Sequence, residues 1–318
     1  MDGAQRYPSD LPHNGYFPFA YRHMFNAPLS LTTETAFELP SYLQESGAHN
    51  PWVEANLHGK DVHSFIVAPC FDSNGNLWVV DIPFGRIFRI TPTGEWDLII
   101  RYDGWPNGLK FHADGRLIIA DARHGLLAMD VDSRLISPLL THHLSQRFHG
   151  VADLAITTNG EIYFTDQGQS GLQEPNGAVF RLSEDGSVQK LLSGIPGPAG
   201  LVLSEDQHFL LVAVTGDNAI WRVPLVESGV SRVGKFIQFT GGFGPCGLAL
   251  DHDNNLFVAH HGLGCVWQFD KRGEAKYRID SSRGDWTKSV VIHPERPNEI
   301  YITESQTGSV LKATLPLY

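Results

Sequence analysis

Pro245-Cys246-Gly247-Leu248-Ala249-Leu250-Asp251-His252-Asp253-Asn254-Asn255-Leu256-Phe257-Val258-Ala259-His260 is the clearest of six copies of one phrase. It reads as a strand, a tight polar turn, a second strand and a polar residue at its end. With Cys246 as the start of this copy, the others start at Val67, Asn107, Ala152, Ala199 and Ser289, and the six starts are separated in order by 40, 45, 47, 47 and 43 positions. In every copy the turn residue lies eight positions after the start, at Gly75, Gly115, Gly160, Gln207, Asn254 and Pro297. The second strand ends at Asp81, Asp121, Asp166, Val214, His260 and Glu304. A period in the forties with about four short strands per unit predicts an all-β fold, a six-bladed β-propeller.

The rest of the chain is read around that repeat. With 318 residues, 42% of them hydrophobic, it can bury a large core. Residues 51–318 are expected to form the propeller and residues 1–50 an irregular N-terminal extension. A formal charge of −11 argues against nucleic acid or an anionic membrane as partner. No apolar run is long enough to span a bilayer. The first residues have no apolar signal core, and three cysteines, Cys70, Cys246 and Cys265, show no paired spacing; a cytoplasmic protein with reduced thiols is expected. Helical content is possible over Thr33 to Glu45. The aromatic run from Tyr16 to Tyr21 is expected to pack on a blade or on a second copy, making a homodimer through the extension possible.

The last blade has three strands of its own, Thr287 to His293, Glu299 to Glu304 and Ser309 to Thr314. Trp52 to Leu57 is read as the fourth, an N-terminal strand closing the ring and removing a free edge. The first blade has the full set: Phe65 to Phe71, Leu77 to Asp81, Arg86 to Thr91 and Trp96 to Arg101. In the third blade the loop from Gln167 to Asn176 is long enough to shape a pocket. Propeller geometry puts the residues before each inner strand and after each second strand on one face, where a small-molecule substrate is expected. That rule nominates His63, Trp105, His124, Phe243, His261, Trp286 and Lys288 as substrate-binding residues. Arg123, His149, Gln167, Asp217 and Gln306 belong to the same face. Asp81, Asp121 and Asp166 end equivalent strands, so turn capping is preferred for them over catalysis.

Asp72-Ser73-Asn74-Gly75-Asn76-Leu77-Trp78, Pro106-Asn107-Gly108-Leu109-Lys110-Phe111, Gly160-Glu161-Ile162-Tyr163-Phe164-Thr165-Asp166 and Asn255-Leu256-Phe257-Val258-Ala259-His260 resemble the gluconolactonase, regucalcin (senescence marker protein) and diisopropylfluorophosphatase family of six-bladed propellers. The resemblance covers roughly residues 50 to 318. It implies hydrolysis of a lactone or related ester, and a divalent metal (usually calcium, sometimes zinc or iron) held by the first residues of the inner-strand phrases. At those positions the family typically carries Glu, Asn, Asn and Asp, where this chain has Val67, Ala152, Ala199 and Cys246. No calcium cofactor is therefore expected, since calcium needs six to eight oxygen ligands.

Two chemistries remain. In the first, the channel is a metal-free site: Cys246 is the nucleophile, Asn107 an oxyanion donor, a rim histidine such as His149 or His63 the base, and Ser289 a further polar ring member. In the second, His63, His149, His260 or His261 joins Cys246 around zinc or iron. A plain buried role competes for Cys246, as does a structural one for His260 and His261, and a solvated rim charge for Lys288. A metal-free lyase or isomerase, as in strictosidine synthase-like propellers, and a non-catalytic propeller that binds a ligand or a protein are the alternatives to a hydrolase.

Overall fold

The computed structural model describes residues 27–169 and 171–316. The aromatic run from Tyr16 to Tyr21, and with it the expected dimer contact, lies outside them. Six antiparallel blade sheets follow one another, and a two-stranded ribbon, His142–His143 with Gln146–Arg147, sits between the second and third. The inner strands are Ile66–Phe71, Pro106–Phe111, Val151–Ile156, Pro198–Leu203, Gly244–Leu250 and Thr287–Ile292. The repeated phrase is thus the first hairpin of each blade. Its turn works because the eighth residue can turn left-handed: φ is +77° at Gly75, +57° at Gln207 and +60° at Asn254. In each of those turns the residue's N–H donates to the carbonyl three positions back.

The ring closes through the N-terminal segment, but not with the strand expected from sequence. Glu34–Glu38 pairs antiparallel with Ser309–Thr314 and completes the sixth blade. Leu29–Thr32 adds in parallel to Ala275–Asp280 of the fifth. Residues before 50 therefore take part in the blades, and the helical content expected over Thr33 to Glu45 is a strand followed by one short turn, Ser41–Leu43. Trp52 to Leu57, read as the closing strand, is instead the α-helix Pro51–Leu57. The Asn50 side chain caps it, accepting from the N–H groups of Trp52 and Val53 at 2.9 and 3.3 Å. Pro51 stands at the position where a missing N–H costs nothing. The helix buries Trp52 and Val53, with the Trp52 ring 4.9 Å from that of Phe65.

Hydrophobic side chains fill the spaces between neighbouring blades: Trp78, Val80 and Ile87 of the first pack with Ile119 and Leu127 of the second. Phe164 and Phe180 stack within the third blade at 5.2 Å. Each such large, fully buried side chain contributes about 1.5–3 kcal/mol. Polar cross-links add register: Thr215 Oγ1 donates to Pro245 O at 2.7 Å, Thr287 Oγ1 to His260 O at 2.9 Å and Ser305 Oγ to Ile66 O at 2.7 Å. Among the described residues no helix is long and apolar enough to cross a membrane.

Candidate functional site

All six inner strands carry a register shift just where the repeated phrase begins, as between Val67 and Cys70, Pro106 and Gly108, or Pro245 and Leu248. A β-bulge bends a strand and re-aims its side chains. Six of them in a ring turn Val67, Asn107, Ala152, Ala199, Cys246 and Ser289 into one central cavity of about 60 Å³. In four of the six blades the next position is small, Ala68, Gly108, Gly200 or Gly247, and there the strands approach closely. A Cβ on Gly200 would lie 2.3 Å from Cys246 O, and one on Gly247 2.6 Å from Ser289 Cα. At the same place in the first blade stands Ala68, with φ at +54°, its N–H donating to Ser289 Oγ at 3.2 Å.

The residue before each inner strand is tied to the residue after its second strand. Ile82 N–H donates to Phe65 O, Ala122 to Trp105, Gln167 to Gly150 and Ser305 to Trp286. Carboxylates hold this mouth together. Asp81 accepts from Phe65 N–H at 2.7 Å, Asp166 from His149 N–H at 3.0 Å on both oxygens, and Glu304 from Trp286 N–H at 3.2 Å. Asp121 accepts from the Arg123 and His124 N–H groups at 2.8 Å and from the Tyr102 hydroxyl at 2.7 Å. The capping role expected for Asp81, Asp121 and Asp166 is what the hydrogen bonds record.

Of the residues nominated from sequence, Asn107, Cys246, Lys288 and Ser289 share the central cavity. Lys288 Nζ donates to Cys246 Sγ at 3.3 Å. Above them runs an aromatic wall. The Phe243 and His261 rings lie 5.0 Å apart, His261 and Trp286 5.9 Å, Trp286 and Phe65 5.8 Å, and Lys288 Nζ stands 5.8 Å from the Phe65 ring. Burial, aided by the nearby Lys288 charge, pushes the His261 imidazole down to about 2, so it stays neutral, and its Nε2 is buried without a partner.

Other nominees face elsewhere. His149 is not brought to Cys246: it lines a separate cavity of about 190 Å³ with Asp166, Phe148, Phe180 and Lys190. His63 is exposed, with Nδ1 at 3.3 Å from Glu45 O. His124 lies against Asp103 O and lines a third cavity beside the ribbon. Trp105 stacks under Arg123 at 5.2 Å.

Three further lining residues, Lys110, Asp153 and Gln167, were missing from the residues nominated as catalytic or substrate-binding. Asp153 is half-buried. Its Oδ1 accepts from Leu154 N–H at 2.9 Å and its Oδ2 from Leu201 N–H at 3.3 Å. Burial raises its carboxyl above the usual range, against the pull of Lys110. Burial likewise raises the Cys70 thiol, again against Lys110. The bulge explains why Lys110 escaped notice: strict alternation counted from Asn107 points it outward, and the shift between Pro106 and Gly108 resets the count.

The residues present do not fit the divalent metal that the resemblance implies. The ring offers Val67, two alanines, a thiol and the neutral oxygens of Asn107 and Ser289, while Lys110 and Lys288 line the same cavity against one carboxylate, Asp153, whose two oxygens already accept from backbone N–H groups. A hard cation would lack oxygens and be repelled. Nor do histidines form a softer set with Cys246: among the described residues no three of His, Cys, Asp and Glu come together in a way that could hold a metal.

Six blades around a central cavity lined at the bulges define a six-bladed β-propeller. The chain belongs to the SMP-30/Gluconolactonase/LRE-like family, whose model matches residues 68–306. It is 30% identical over 240 residues to Lactonase drp35 of Staphylococcus saprophyticus, with 70% of each chain covered. Regucalcin, a calcium-binding protein from Agrobacterium tumefaciens, superposes with a TM-score of 0.72 at 18% identity, over 92% of this chain and 99% of that one. A gluconolactonase from Xanthomonas campestris superposes with a TM-score of 0.71 at 20% identity, over 80% of this chain and 86% of that one.

Proposed function

We propose that this chain is a lactone hydrolase-type enzyme that opens a small cyclic ester in the central channel with side chains rather than a metal. Relatives named as lactonases support the reaction class. The observation that carries the mechanism is the Lys288–Cys246 contact at 3.3 Å inside the cavity.

The proposed reaction uses Cys246 as a thiolate beside a Lys288 ammonium, a pair that their contact at 3.3 Å brings together. Cys246 sulfur adds to the lactone carbonyl carbon while the Asn107 amide, which has no side-chain partner among the described residues, donates to the developing oxyanion. The ring C–O bond breaks, and the departing alkoxide takes a proton from Lys288. The product is a thioester carrying a free hydroxyl, with Lys288 neutral. Water then adds to the thioester carbonyl, gives its proton to Lys288 and expels the Cys246 thiolate, releasing the hydroxy acid. The apolar ring positions Val67, Ala152 and Ala199 leave room for the substrate's carbon skeleton, and the cavity of about 60 Å³ favours a small ring.

The test follows hydrolysis of γ- and δ-lactones after exhaustive dialysis against EDTA. Activity is expected to survive, and Cys246→Ala and Lys288→Met are each expected to lower kcat/KM by about a hundredfold or more while circular dichroism is unchanged. Loss of activity in EDTA with recovery on adding calcium, or an unimpaired Cys246→Ala enzyme, would overturn the reading.

A further inference from the structure

We infer that the same channel is a binding site for a small organic carboxylate, held between the ammonium groups of Lys110 and Lys288. This rests on the lactonase reading and deepens it, because ring opening turns a neutral ester into a carboxylate at this spot.

The charge distribution is the first argument. The chain carries a formal charge of −11. Yet two lysines line the central cavity against a single carboxylate, Asp153. The lysines that pair with carboxylates are Lys235, Lys276 and Lys312, all elsewhere. Lys110 and Lys288 pair with none among the described residues; the one hydrogen bond either makes runs from Lys288 to Cys246.

Hydrogen-bonding capacity is the second. Both Asp153 oxygens already accept from backbone N–H groups, of Leu154 and Leu201. Ser289 Oγ accepts from Ala68 N–H, which leaves its hydroxyl hydrogen to donate. Lys288 keeps two N–H bonds in hand, Lys110 all three, and the Asn107 amide its two. The acceptors left are the Asn107 amide oxygen and the remaining lone pairs on Asp153 and Ser289, and the donors outnumber them. A carboxylate that reaches both lysines forms charge-assisted hydrogen bonds with each, alongside the Asp153 carboxylate near Lys110 and the Cys246 sulfur near Lys288.

Isothermal titration calorimetry on the full chain compares sodium gluconate with sorbitol, which has the same carbon count and a hydroxymethyl group in place of the carboxylate. Saturable gluconate binding is expected, with none for sorbitol. Lys110→Met and Lys288→Met are each expected to weaken it about tenfold or more, the effect of losing one charged hydrogen bond. Equal binding of both compounds, gluconate binding weaker than about 1 mM, or wild-type affinity in both variants overturns the site. Titrating Cys246→Ala in parallel separates the two readings. If that variant hydrolyses lactones and binds gluconate, the reaction fails and the anion site stands. If the wild-type enzyme hydrolyses lactones but does not bind gluconate, the anion site alone fails.

Discussion

The Asp81–Arg86 pair gives the sharpest quantitative test of how the channel mouth is held. Both side chains are buried, at 0% and 1% exposure. Arg86 donates to Asp81 Oδ2 from Nε at 3.0 Å and again from Nη2, and Asp81 Oδ1 accepts from Phe65 N–H at 2.7 Å. Arg86 Nη1 donates to Leu43 O, so the pair also anchors the segment that leads into the helix. Asp81→Leu leaves the buried guanidinium with the partly exposed Glu45, 3.5 Å from Nη1, as its remaining carboxylate, a loss of about 3 kcal/mol, the low end for breaking a buried pair. It also strands the Phe65 N–H, at about 1–3 kcal/mol more. The variant should therefore lose at least about 4 kcal/mol of the roughly 5–15 kcal/mol a domain possesses. Arg86→Met is milder, at about 3 kcal/mol, because the carboxyl can take up a proton and still accept from Phe65. In the double variant no buried charge remains, and the loss should be about 3 kcal/mol from the unpaired Phe65 N–H and Leu43 carbonyl. The cycle then yields a coupling of about 4 kcal/mol or more. Urea unfolding followed by tryptophan fluorescence measures it, and Asp81→Asn, which keeps an acceptor for Phe65, serves should Asp81→Leu not fold. A coupling below about 0.5 kcal/mol would refute the reasoning.

Two further outcomes are expected. His261 titrates near 6.5 in the unfolded chain and at about 2 when folded, so between those values only the unfolded chain binds the proton. Its contribution is complete above the higher value and is lost as pH falls, by up to about 1.4 kcal/mol per pH unit. His261→Phe should flatten the acid limb of the stability profile, and parallel profiles for the two proteins from neutral pH to about pH 5 would exclude it. Gly200→Ala drives a Cβ to 2.3 Å from Cys246 O, whereas Gly108→Ala brings one to 3.0 Å from Ala152 O. The first should lose about 2–3 kcal/mol and the second about 1 kcal/mol or less in urea unfolding; the reverse order would mean the strands are not packed as described.

The repeat was readable because its signal is local. In five of the six copies the residue eight positions in turns left-handed, at Gly75, Gly115, Gly160, Gln207 and Asn254; Pro297 in the sixth cannot. The ring was readable for the same reason, since its members are fixed by that offset. The closing strand was not. Thr-Glu-Thr-Ala-Phe-Glu carries little apolar pattern because Glu34–Glu38 is an edge strand, largely exposed, and only the open edge of Ser309–Thr314 makes it a strand. Asn50-Pro51 did carry a helix-start signal, which the apolar spacing of Trp52 to Leu57 masked. Within the site, Lys110 hides behind a bulge, for which Gly108 inside the strand was the available signal. His149 is fixed near the mouth by its backbone N–H, while its side chain borders the neighbouring cavity instead. Closeness in sequence to a ring residue did not determine which space it would face.

The clasp formed by Leu29–Thr32 and Glu34–Glu38 also sets a timetable. Ser30 Oγ donates to Asp280 Oδ2 across a separation of 250 residues, and Glu34 pairs with Lys312. Contacts between such distant positions pay the full entropy of loop closure and form late. Among the described strands these are the earliest in the chain, and they must wait for nearly the last to be made. The first four blades can assemble hairpin by hairpin as they emerge, whereas the fifth and sixth stay incomplete until the early segment is recaptured. Expression yield should therefore depend more steeply on substitutions in the clasp than its small buried area suggests, because an unclasped ring exposes two free strand edges to other nascent chains.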